Sequence, residues 1–322
     1  MCGIAGIYNL NQKPLEQERL VAMTKVIRHR GPDDEGYLLI NTSSKNILHC
    51  HNSQTIKEIQ TNTTSLPNDF NANLGFGFRR LSIIDITAKG HQPMSNSDGT
   101  IWIIFNGEIY NYVELREQLK SLGHTFSSNS DTEVIIKSYE QWGEACLNRF
   151  NGMWAFAIWD NRTGTLFCAR DRFGVKPFNY YFDGNTFIFG SEVKQILEWP
   201  IDKAINTEVI FKSFAINSFM HNSNNTYFDK IKILPHSHYI IIKNNSFELK
   251  RYYDLDPSTF ETSKLGFDEA CEQYRELFVD SVKLRMRSDV EVGSTLSGGL
   301  DSSAIVSIAA SLTPKQFKTF TS

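Results

Sequence analysis

Residues 1 to 8 read MCGIAGIY. If Met1 is removed, Cys2 becomes a first residue that carries both a thiol and a free α-amine. An α-amine has a pKa of about 8, so an appreciable fraction is neutral near pH 7 and can accept the thiol proton without a separate histidine. Residues 2–8 therefore predict a short strand whose first residue is a nucleophile with its own base. A small residue after an initial methionine is common, so partner residues must decide between this function and an ordinary packing cysteine.

Four further motifs follow in order along the chain, namely HRGPD (29–33), RLSIID (80–85), FNGEIYN (105–111) and SDTE (130–133). Together with MCGIAGIY, this series resembles the class II glutamine amidotransferases, whose glutaminase domain has an N-terminal-nucleophile hydrolase fold. The resemblance implies a glutaminase domain over residues 1–253. It also implies the α+β class, an αββα sandwich, and Cys2 as the nucleophile that hydrolyses glutamine.

The hydrophobic pattern of the first domain also predicts an α+β class. Strand-like segments recur at 74–85, 101–105, 153–159, 165–169, 178–182, 186–190 and 238–242. Two predicted helices interrupt them, at 111–122 and 131–147, and Ser130 with Glu133 predicts a capping box at the start of the second. Residues 41–73 are rich in Asn, Ser and Thr with little periodicity, so we expect an exposed excursion between strands.

Two neighbouring residues are candidates for stabilising a reaction intermediate. Amide hydrolysis passes through a tetrahedral oxyanion, and each fixed hydrogen-bond donor at that charge is worth about 3 to 4 kcal/mol. Asn106 and Gly107, just past the predicted strand 101–105, can supply a side-chain amide and a backbone N–H. We therefore predict Asn106 and Gly107, with Cys2, as the catalytic residues. The alternative for an isolated Asn-Gly pair is a plain turn.

Glutamine also carries an α-carboxylate and an α-ammonium, so a specific site needs a cation and an anion that face each other. Arg80 suits the carboxylate because a guanidinium binds it bidentately, and Arg79 is the neighbouring alternative. The resemblance implies that Asp131 binds the ammonium and that Asn106 and Glu108 contribute to the glutamine site. The alternative role for Asp131 is an acidic residue in a first helical turn, which is favourable to the helix dipole.

The resemblance assigns further features of the first domain. Arg30 of HRGPD is expected to orient the N-terminal residue, although an arginine packed over a Gly-Pro turn would look the same. GHQPM, residues 90–94, resembles a mobile loop that closes over glutamine. Two later segments, RDRFGVKPF (170–178) and FGSEVK (189–194), look like the branch of the family that is fused to asparagine synthetase.

A linker containing Pro, Ser and Thr is predicted at 254–265, and helix and strand alternate over 266–322. There SGGLDSS, residues 297–303, lies between an apolar strand and a helix, where backbone N–H groups and hydroxyls can converge on a phosphate. It lacks the GK[ST] ending of a Walker loop. It resembles the PP-loop of ATP pyrophosphatases, which implies the start of a doubly wound α/β domain. The alternative is an ordinary helix cap.

The same resemblance implies that ATP is a substrate with Mg²⁺ and that no prosthetic group is bound. The residues expected to contact ATP and pyrophosphate are Leu296, Ser297, Gly298, Gly299, Asp301, Ser302 and Ser303. Asp301 is expected to help hold Mg-pyrophosphate, and no other metal is expected, because His and Cys at 49–51 do not match zinc spacings. Ammonia from glutamine would meet a β-aspartyl-AMP made from ATP and aspartate, giving asparagine, AMP and pyrophosphate.

Alternative functions stay open at this point. The ammonia acceptor can be another carboxylate, such as a surface-polysaccharide sugar, or the chain can be a non-catalytic glutamine-binding or oligomerisation module. Because 266–322 is short for a nucleotide-binding domain, we expect this chain alone to show at most glutaminase activity and to leave an uncovered parallel sheet edge.

Composition narrows the class of partner. The net charge of −3 gives no electrostatic footprint for nucleic acid or an anionic membrane, and no apolar run is long enough for a membrane span. The five cysteines are odd in number and widely scattered, which is typical of reduced thiols. We therefore expect a cytoplasmic protein with glutamine, ATP and aspartate as partners, and these features are compatible with a homodimer.

Overall fold

The computed structural model describes residues 1–67, 69–215, 224–259, 265–314 and 316–321. The strands within these residues, in chain order, are β1 (Gly3–Asn9), β2 (Asp34–Asn41), β3 (Asn46–His51), β4 (Thr64–Ser65), β5 (Leu74–Arg80), β6 (Met94–Ser95), β7 (Ile101–Ile109), β8 (Gly152–Asp160), β9 (Thr165–Arg170), β10 (Asn179–Phe182), β11 (Thr186–Gly190), β12 (Lys232–Ile233), β13 (His238–Lys243), β14 (Ser246–Arg251), β15 (Gly293–Thr295) and β16 (Lys318–Phe320).

The α-helices are α1 (Gln17–Lys25), α2 (Lys57–Gln60), α3 (Tyr112–Ser121), α4 (Asp131–Trp142), α5 (Val193–Ile196), α6 (Thr207–Ala215), α7 (Phe267–Arg285) and α8 (Leu300–Leu312). Short 3₁₀ turns lie at Arg28–Arg30, Ala88–Gly90, Gly143–Asn148 and Pro257–Thr259. Within the described part of the chain, no helix combines the length and the apolar character needed to cross a bilayer. The chain divides into two compact units, Met1–Asp254 and Leu255–Ser322.

Two sheets form the centre of the first unit. One has the strand order β12-β10-β11-β1-β5-β2-β3-β4 and the other has the order β14-β13-β9-β8-β7-β6. Neighbouring strands are antiparallel, except that β3 and β4 run parallel. Residues that alternate along β1 and β7 point to opposite faces of their sheets, because the side-chain period of a strand is two.

Three buried clusters define the layers. The first joins residues of both sheets, including Ile4 of β1 and Ile104 of β7, and so fills the space between the sheets. The second covers the outer face of the β7 sheet with α3 and α4, and the third covers the outer face of the β1 sheet with α1 and α5. The order helix, sheet, sheet, helix confirms the predicted αββα sandwich and the α+β class.

Most described residues of the segment 41–73 are exposed or half-buried, as expected, but the segment also contains two strands. β3 pairs with β2 and β4 pairs with β3, so this segment extends the first sheet. The polar residues that led to this expectation include those of the turn at 42–45, whereas Cys50 of β3 is fully buried. Composition averaged over the whole segment hid the strand.

Other predicted boundaries also need correction. The predicted strand 74–85 ends at Arg80, and the predicted helix 131–147 is α-helical only to Trp142 and continues as a 3₁₀ turn. The capping box was wrong in its second half. Ser130 accepts a hydrogen bond from the N–H of Thr132, but the carboxylate of Glu133 accepts N–H groups from the preceding loop instead of that of Ser130.

The second unit contains α7 and a strand-helix-strand segment. β15 and β16 pair in parallel, and α8 connects them, as in a doubly wound fold. Both strands are only three residues long, and their parallel pairing around α8 agrees with the alternation of helix and strand predicted over 266–322. Part of the predicted linker 254–265 lies outside the described residues.

Candidate functional site

One cavity of the first unit brings together six of the residues predicted from the sequence. They are Cys2, Arg80, Asn106, Gly107, Glu108 and Asp131. They come from the start of β1, the end of β5, the last third of β7 and the first turn of α4. The cavity therefore opens where the two sheets and one helix N-terminus converge.

The thiol of Cys2 is held at the edge of this cavity. The N–H of Leu81 donates to Cys2 Sγ at 3.3 Å, and Sγ lies 3.5 Å from the carbonyl oxygen of Leu81. Burial raises the pKa of the Cys2 thiol, while the Leu81 N–H, the N-terminal amine, Arg80 and Lys176 act in the opposite direction. The nearby positive charges thus offset part of the energetic cost of a desolvated thiolate at this position.

Arg30 fixes the backbone of the same residue. Its Nε donates to the carbonyl oxygen of Cys2 at 3.0 Å, and its Nη1 donates to Glu192 at 3.1 Å. Glu192 also contacts His29 and Lys194, and hydrogen bonds from Lys194, Arg30 and His29 lower its pKa to about 2 against the effect of partial burial. The guanidinium is therefore held in place by a carboxylate that stays ionised at neutral pH.

Asn106 and Gly107 lie inside β7, not beyond its end as expected, so the alternative of a plain Asn-Gly turn does not apply. The side chain of Asn106 is 1 % exposed, and neither its Nδ2 nor its Oδ1 has a hydrogen-bond partner among the described residues. A buried unpaired amide costs about 1 to 3 kcal/mol. The stability of the fold therefore does not explain why the unpaired amide of Asn106 lies in the cavity wall.

The backbone of β7 presents a row of N–H groups to the edge away from β8. The N–H of Ile101 bonds to Asn96 Oδ1, that of Phe105 to Gln92 Oε1 at 2.6 Å, and that of Ile109 to Asp131 Oδ2 at 3.0 Å. Since N–H groups of an antiparallel strand alternate in direction, the N–H of Gly107 lies on the same edge, between two capped neighbours, and faces the cavity.

Glycine is required at position 107 by close packing. A Cβ placed there would lie 2.3 Å from the carbonyl oxygen of Met153 and 2.5 Å from the ring of Phe105. Real Cβ atoms do not approach backbone oxygens so closely. The close contact with β8 therefore explains why residue 107 is a glycine. The N–H of Gly107 points to the cavity, where a ligand can accept its hydrogen bond.

The two adjacent arginines have separate environments. Arg79 forms an ion pair with Glu35 at 3.0 Å, with both side chains almost fully buried, and its Nε donates to the carbonyl oxygen of Thr24. Arg80 lines the cavity, and its guanidinium donates to the carbonyl oxygens of Asp85 and Thr87. Of the two candidates for the glutamine carboxylate, only Arg80 lies at the cavity with Cys2.

Asp131 is the first residue of α4 and is 5 % exposed. Its Oδ2 accepts the N–H of Ile109, yet burial raises the pKa of Asp131 to about 6. The carboxylate thus carries its charge in a desolvated place, which a bound cation would relieve. Glu108 lines the same cavity.

The segment GHQPM, which was expected to be a mobile loop, is buried and hydrogen-bonded in this structure. All five of its residues are buried. His91 Nδ1 lies 2.6 Å from Asp34 Oδ2, and Gln92 caps the edge of β7 and donates to Thr132 at 3.2 Å. Its contribution is visible as a wall of the cavity, through Gly90 and Gln92.

Sequence reasoning missed three polar residues of the cavity wall, Gln92, Thr132 and Lys176. All three lie within motifs quoted from the sequence, but none was assigned a contact. Gln92 could have been found only by knowing that β6 stops after two residues and leaves β7 without a neighbour there. The direction of Lys176 is set by hydrogen bonds between its backbone and the side chains of Asp171 and Arg170, which no periodic pattern in the sequence predicts.

The predicted phosphate loop lies between β15 and α8 in the second unit. Gly298 has φ +80°, and α8 starts after Gly299 without a side-chain cap. Ser297 Oγ lies 3.0 Å from Ser302 Oγ, and the residues 297–301 are exposed. Leu296 is anchored through its N–H to the carbonyl of Phe320. The uncapped N–H groups and two hydroxyls are a donor set suited to phosphate oxygens, with Asp301 in the first helical turn.

Known proteins share these features. A family described as glutamine amidotransferase domain matches residues 1–67 and 68–253, and a family described as asparagine synthase matches residues 273–322. Asparagine synthetase (glutamine-hydrolyzing) 1 of Bacillus subtilis is 36% identical over 99% of this chain and 45% of its own length. Asparagine synthetase (glutamine-hydrolyzing) 3 of the same organism is 35% identical over 99% of this chain and 47% of its own length.

This chain spans about half the length of these curated relatives. Among solved structures, the glutamine phosphoribosylpyrophosphate amidotransferase from B. subtilis, complexed with ADP and GMP, is similar with a TM-score of 0.57 and 17% sequence identity. That similarity covers 99% of this chain and 65% of the other, and shows a shared fold. The family match over residues 1–253 agrees with the layers and the cavity described above, and the chain belongs to the glutamine amidotransferase domain family.

Proposed function

We propose that the first unit hydrolyses glutamine to glutamate and ammonia, with Cys2 as the nucleophile. The observation that carries this proposal is Asn106, whose buried amide has no hydrogen-bond partner in the part of the chain that the structure describes and lines the same cavity as the thiol. An unpaired donor beside a nucleophile is what an oxyanion requires, because its hydrogen bond forms only when charge develops on the substrate oxygen. The N–H of Gly107 is the second donor.

Once Met1 is removed, the α-amine of Cys2 is the base. It accepts the thiol proton while Sγ attacks the side-chain amide carbon of glutamine, and the resulting tetrahedral oxyanion is bound by Asn106 and Gly107. The ammonium then donates its proton to the leaving nitrogen, so that the C–N bond breaks, ammonia leaves and a thioester remains. Water hydrolyses the thioester, which releases glutamate and restores the thiol.

Arg80 and Asp131 bind the two charged ends of the amino acid in this proposal. Arg80 offers a guanidinium to the α-carboxylate, and Asp131 offers a desolvated carboxylate to the α-ammonium. Glu108 and Asn106 complete the glutamine contacts, and Arg30 positions Cys2 through its carbonyl oxygen. Each role is chemically matched to the group that it faces.

The second unit supports a wider proposal, in which the whole protein makes asparagine. ATP with Mg²⁺ would be held by the loop from Leu296 to Ser303, with Asp301 at the Mg-pyrophosphate. Bound ATP supplies the adenylate that activates the side-chain carboxylate of aspartate for attack by ammonia. The relatives named asparagine synthetase favour this acceptor over a polysaccharide sugar, and a purely glutamine-binding module leaves the Cys2 geometry unexplained.

The cellular setting is part of the same proposal. All five cysteines are free thiols in the structure, which is compatible with a reducing cytoplasm. Three of them, Cys50, Cys146 and Cys168, are buried, and burial raises the pKa of each. A homodimer is proposed as the assembly, to be tested by light scattering of the purified protein.

Glutamate release from glutamine tests the glutaminase proposal. The purified protein should release glutamate, Cys2→Ala should abolish the release, and Cys271→Ala, at an exposed thiol of the other unit, should leave it unchanged. A glutamine-analogue electrophile should add one mass equivalent to the peptide that carries Cys2 without Met1. Undiminished glutamate release by Cys2→Ala would refute the proposal.

The acceptor is tested separately on the whole protein, with glutamine labelled with ¹⁵N in its side-chain amide, together with aspartate, ATP and Mg²⁺. Formation of ¹⁵N-asparagine and AMP supports asparagine synthesis. Label found in another amide, with aspartate unchanged, would contradict aspartate as the acceptor while leaving the glutaminase proposal intact.

A further inference from the structure

Lys176 is a buried cation in the cavity that the reaction described above does not use. Its side chain is 5 % exposed and lines the cavity together with Cys2. Burial of an ammonium costs several kcal/mol unless a nearby charge offsets the cost. Lys176 has no ion-pair partner within the described ranges, so the lysine is not explained as one half of a salt bridge.

The loop that carries Lys176 is clamped rigidly. The carboxylate of Asp171, itself 1 % exposed, accepts the N–H groups of Phe173, Val175 and Lys176 at 3.1, 2.9 and 2.9 Å. From the other side, Arg170 Nε donates to the carbonyl oxygen of Lys176 at 2.7 Å. The buried Asp171 and the half-buried Arg170 thus fix the backbone of the residue whose side chain lines the cavity.

The other cations near Cys2 are already engaged. Arg30 is paired with Glu192, and Arg80 donates to backbone carbonyls and is assigned to the glutamine carboxylate. The charged groups that face the thiol are the N-terminal amine, Arg80 and Lys176. Those that face Lys176 include Cys2, Arg30, Glu108 and Asp171.

We propose that Lys176 is a positioning residue of the glutaminase reaction, whose ammonium stabilises the thiolate of Cys2 across the cavity. This inference rests on the proposed glutaminase function. A positive charge close to a thiol favours the ionised form, and the same charge disfavours protonation of a neighbouring amine. Lys176 therefore acts on both halves of the nucleophile, because its charge stabilises the thiolate as it forms and keeps the amine in the neutral form that accepts the thiol proton.

The supporting titration directions agree with this geometry. Burial raises the pKa of the Cys2 thiol, and Lys176 acts to lower it; Lys176 likewise adds to burial in lowering the pKa of the α-amine of Met1, which precedes Cys2 in this structure. The Cys2 thiolate in turn acts to raise the pKa of Lys176 against the effect of burial. The coupling between thiol and ammonium is thus mutual.

The experiment measures alkylation of Cys2 by iodoacetamide from about pH 6 to about pH 9, by peptide mass spectrometry. The variants are Lys176→Met and Lys176→Gln, which remove the charge, and Lys176→Arg, which keeps it. The exposed Cys271 is the internal reference within every sample. Urea unfolding shows which neutral variants keep the native fold, and the N-terminal mass shows that the samples share one processing state.

A neutral variant should raise the apparent pKa of Cys2 by about one pH unit, so that alkylation at pH 7 slows about tenfold, with Cys271 unaffected. Lys176→Arg should stay within about twofold of the original protein, and kcat for glutamate release should fall in the neutral variants with little change in KM. A folded neutral variant with an unchanged Cys2 titration would overturn the inference. A protein that never releases glutamate contradicts the proposed function instead, whatever the alkylation shows.

Discussion

Asp131→Asn is expected to stabilise the fold while it removes glutamine binding. Burial raises the pKa of Asp131 from 3.8 to about 6, and each pH unit of such a difference is worth about 1.4 kcal/mol. The folded protein therefore carries a penalty of up to about 3 kcal/mol for this charge above pH 7. Asparagine has a similar shape and can still accept the N–H of Ile109 through Oδ1.

The pH dependence has a defined sign. Because the folded pKa is above the unfolded one, the folded state binds more protons between about pH 4 and pH 6, and stability falls as pH rises through that range. The advantage of Asp131→Asn should grow from about 1 kcal/mol at pH 4.5 to about 3 kcal/mol at pH 7.5, as an upper limit.

Urea unfolding followed by tryptophan fluorescence measures this difference, because all five tryptophans lie in the first compact unit. Glu133→Gln is the matched control in the same helical turn. Its carboxylate accepts several hydrogen bonds from Ser127 and Ser128, so the control should lower stability. If Asp131→Asn is no more stable than the original protein at pH 7.5, or if its advantage does not grow with pH, the desolvation argument is wrong.

Three further outcomes are expected. Asn106→Ala should lower kcat for glutamate release about 100- to 1,000-fold. The free energy of unfolding should stay the same or rise slightly, because the amide of Asn106 has no hydrogen-bond partner within the described residues, and equal losses of stability and activity would contradict this. Gly107→Ala should destabilise the protein by about 2 kcal/mol or more in urea, whereas the control Gly266→Ala, with open space around its Cα, should not. Arg79→Met should lower the free energy of unfolding by about 3 to 5 kcal/mol, because it leaves the buried carboxylate of Glu35 without its ion pair. Arg80→Met should chiefly raise KM for glutamine, and the reverse pattern would refute the assignment of the two arginines.

The class of fold and the family could be predicted because their signals are local. The motifs around Cys2 and Asn106 are contiguous, and the central strands are buried on both faces, so they stand out in the sequence as apolar segments. Both the αββα architecture and the amidotransferase resemblance are confirmed. The strands at 46–51 and 64–65 were missed because most of their side chains are exposed or only half-buried and so show little periodicity.

The site could be predicted only where a residue type carries its own chemistry. Asn106 was expected beyond a strand because IIF looked like a strand end, whereas β7 continues through NGE while it stays paired with β8. Lys176 was missed because its direction is set by Asp171 and Arg170, which act through backbone contacts that no spacing encodes. Long-range packing therefore decides which polar residues of a known motif reach the cavity.

The capped edge of β7 also governs what can associate with this protein. With the N–H groups of Ile101, Phe105 and Ile109 each occupied by a side chain, no second polypeptide can add along the strand and continue the ladder. A single small acceptor can still reach the N–H of Gly107. The same three side chains thus prevent strand addition along β7 and leave one backbone donor, the N–H of Gly107, between the bonded N–H groups of Phe105 and Ile109.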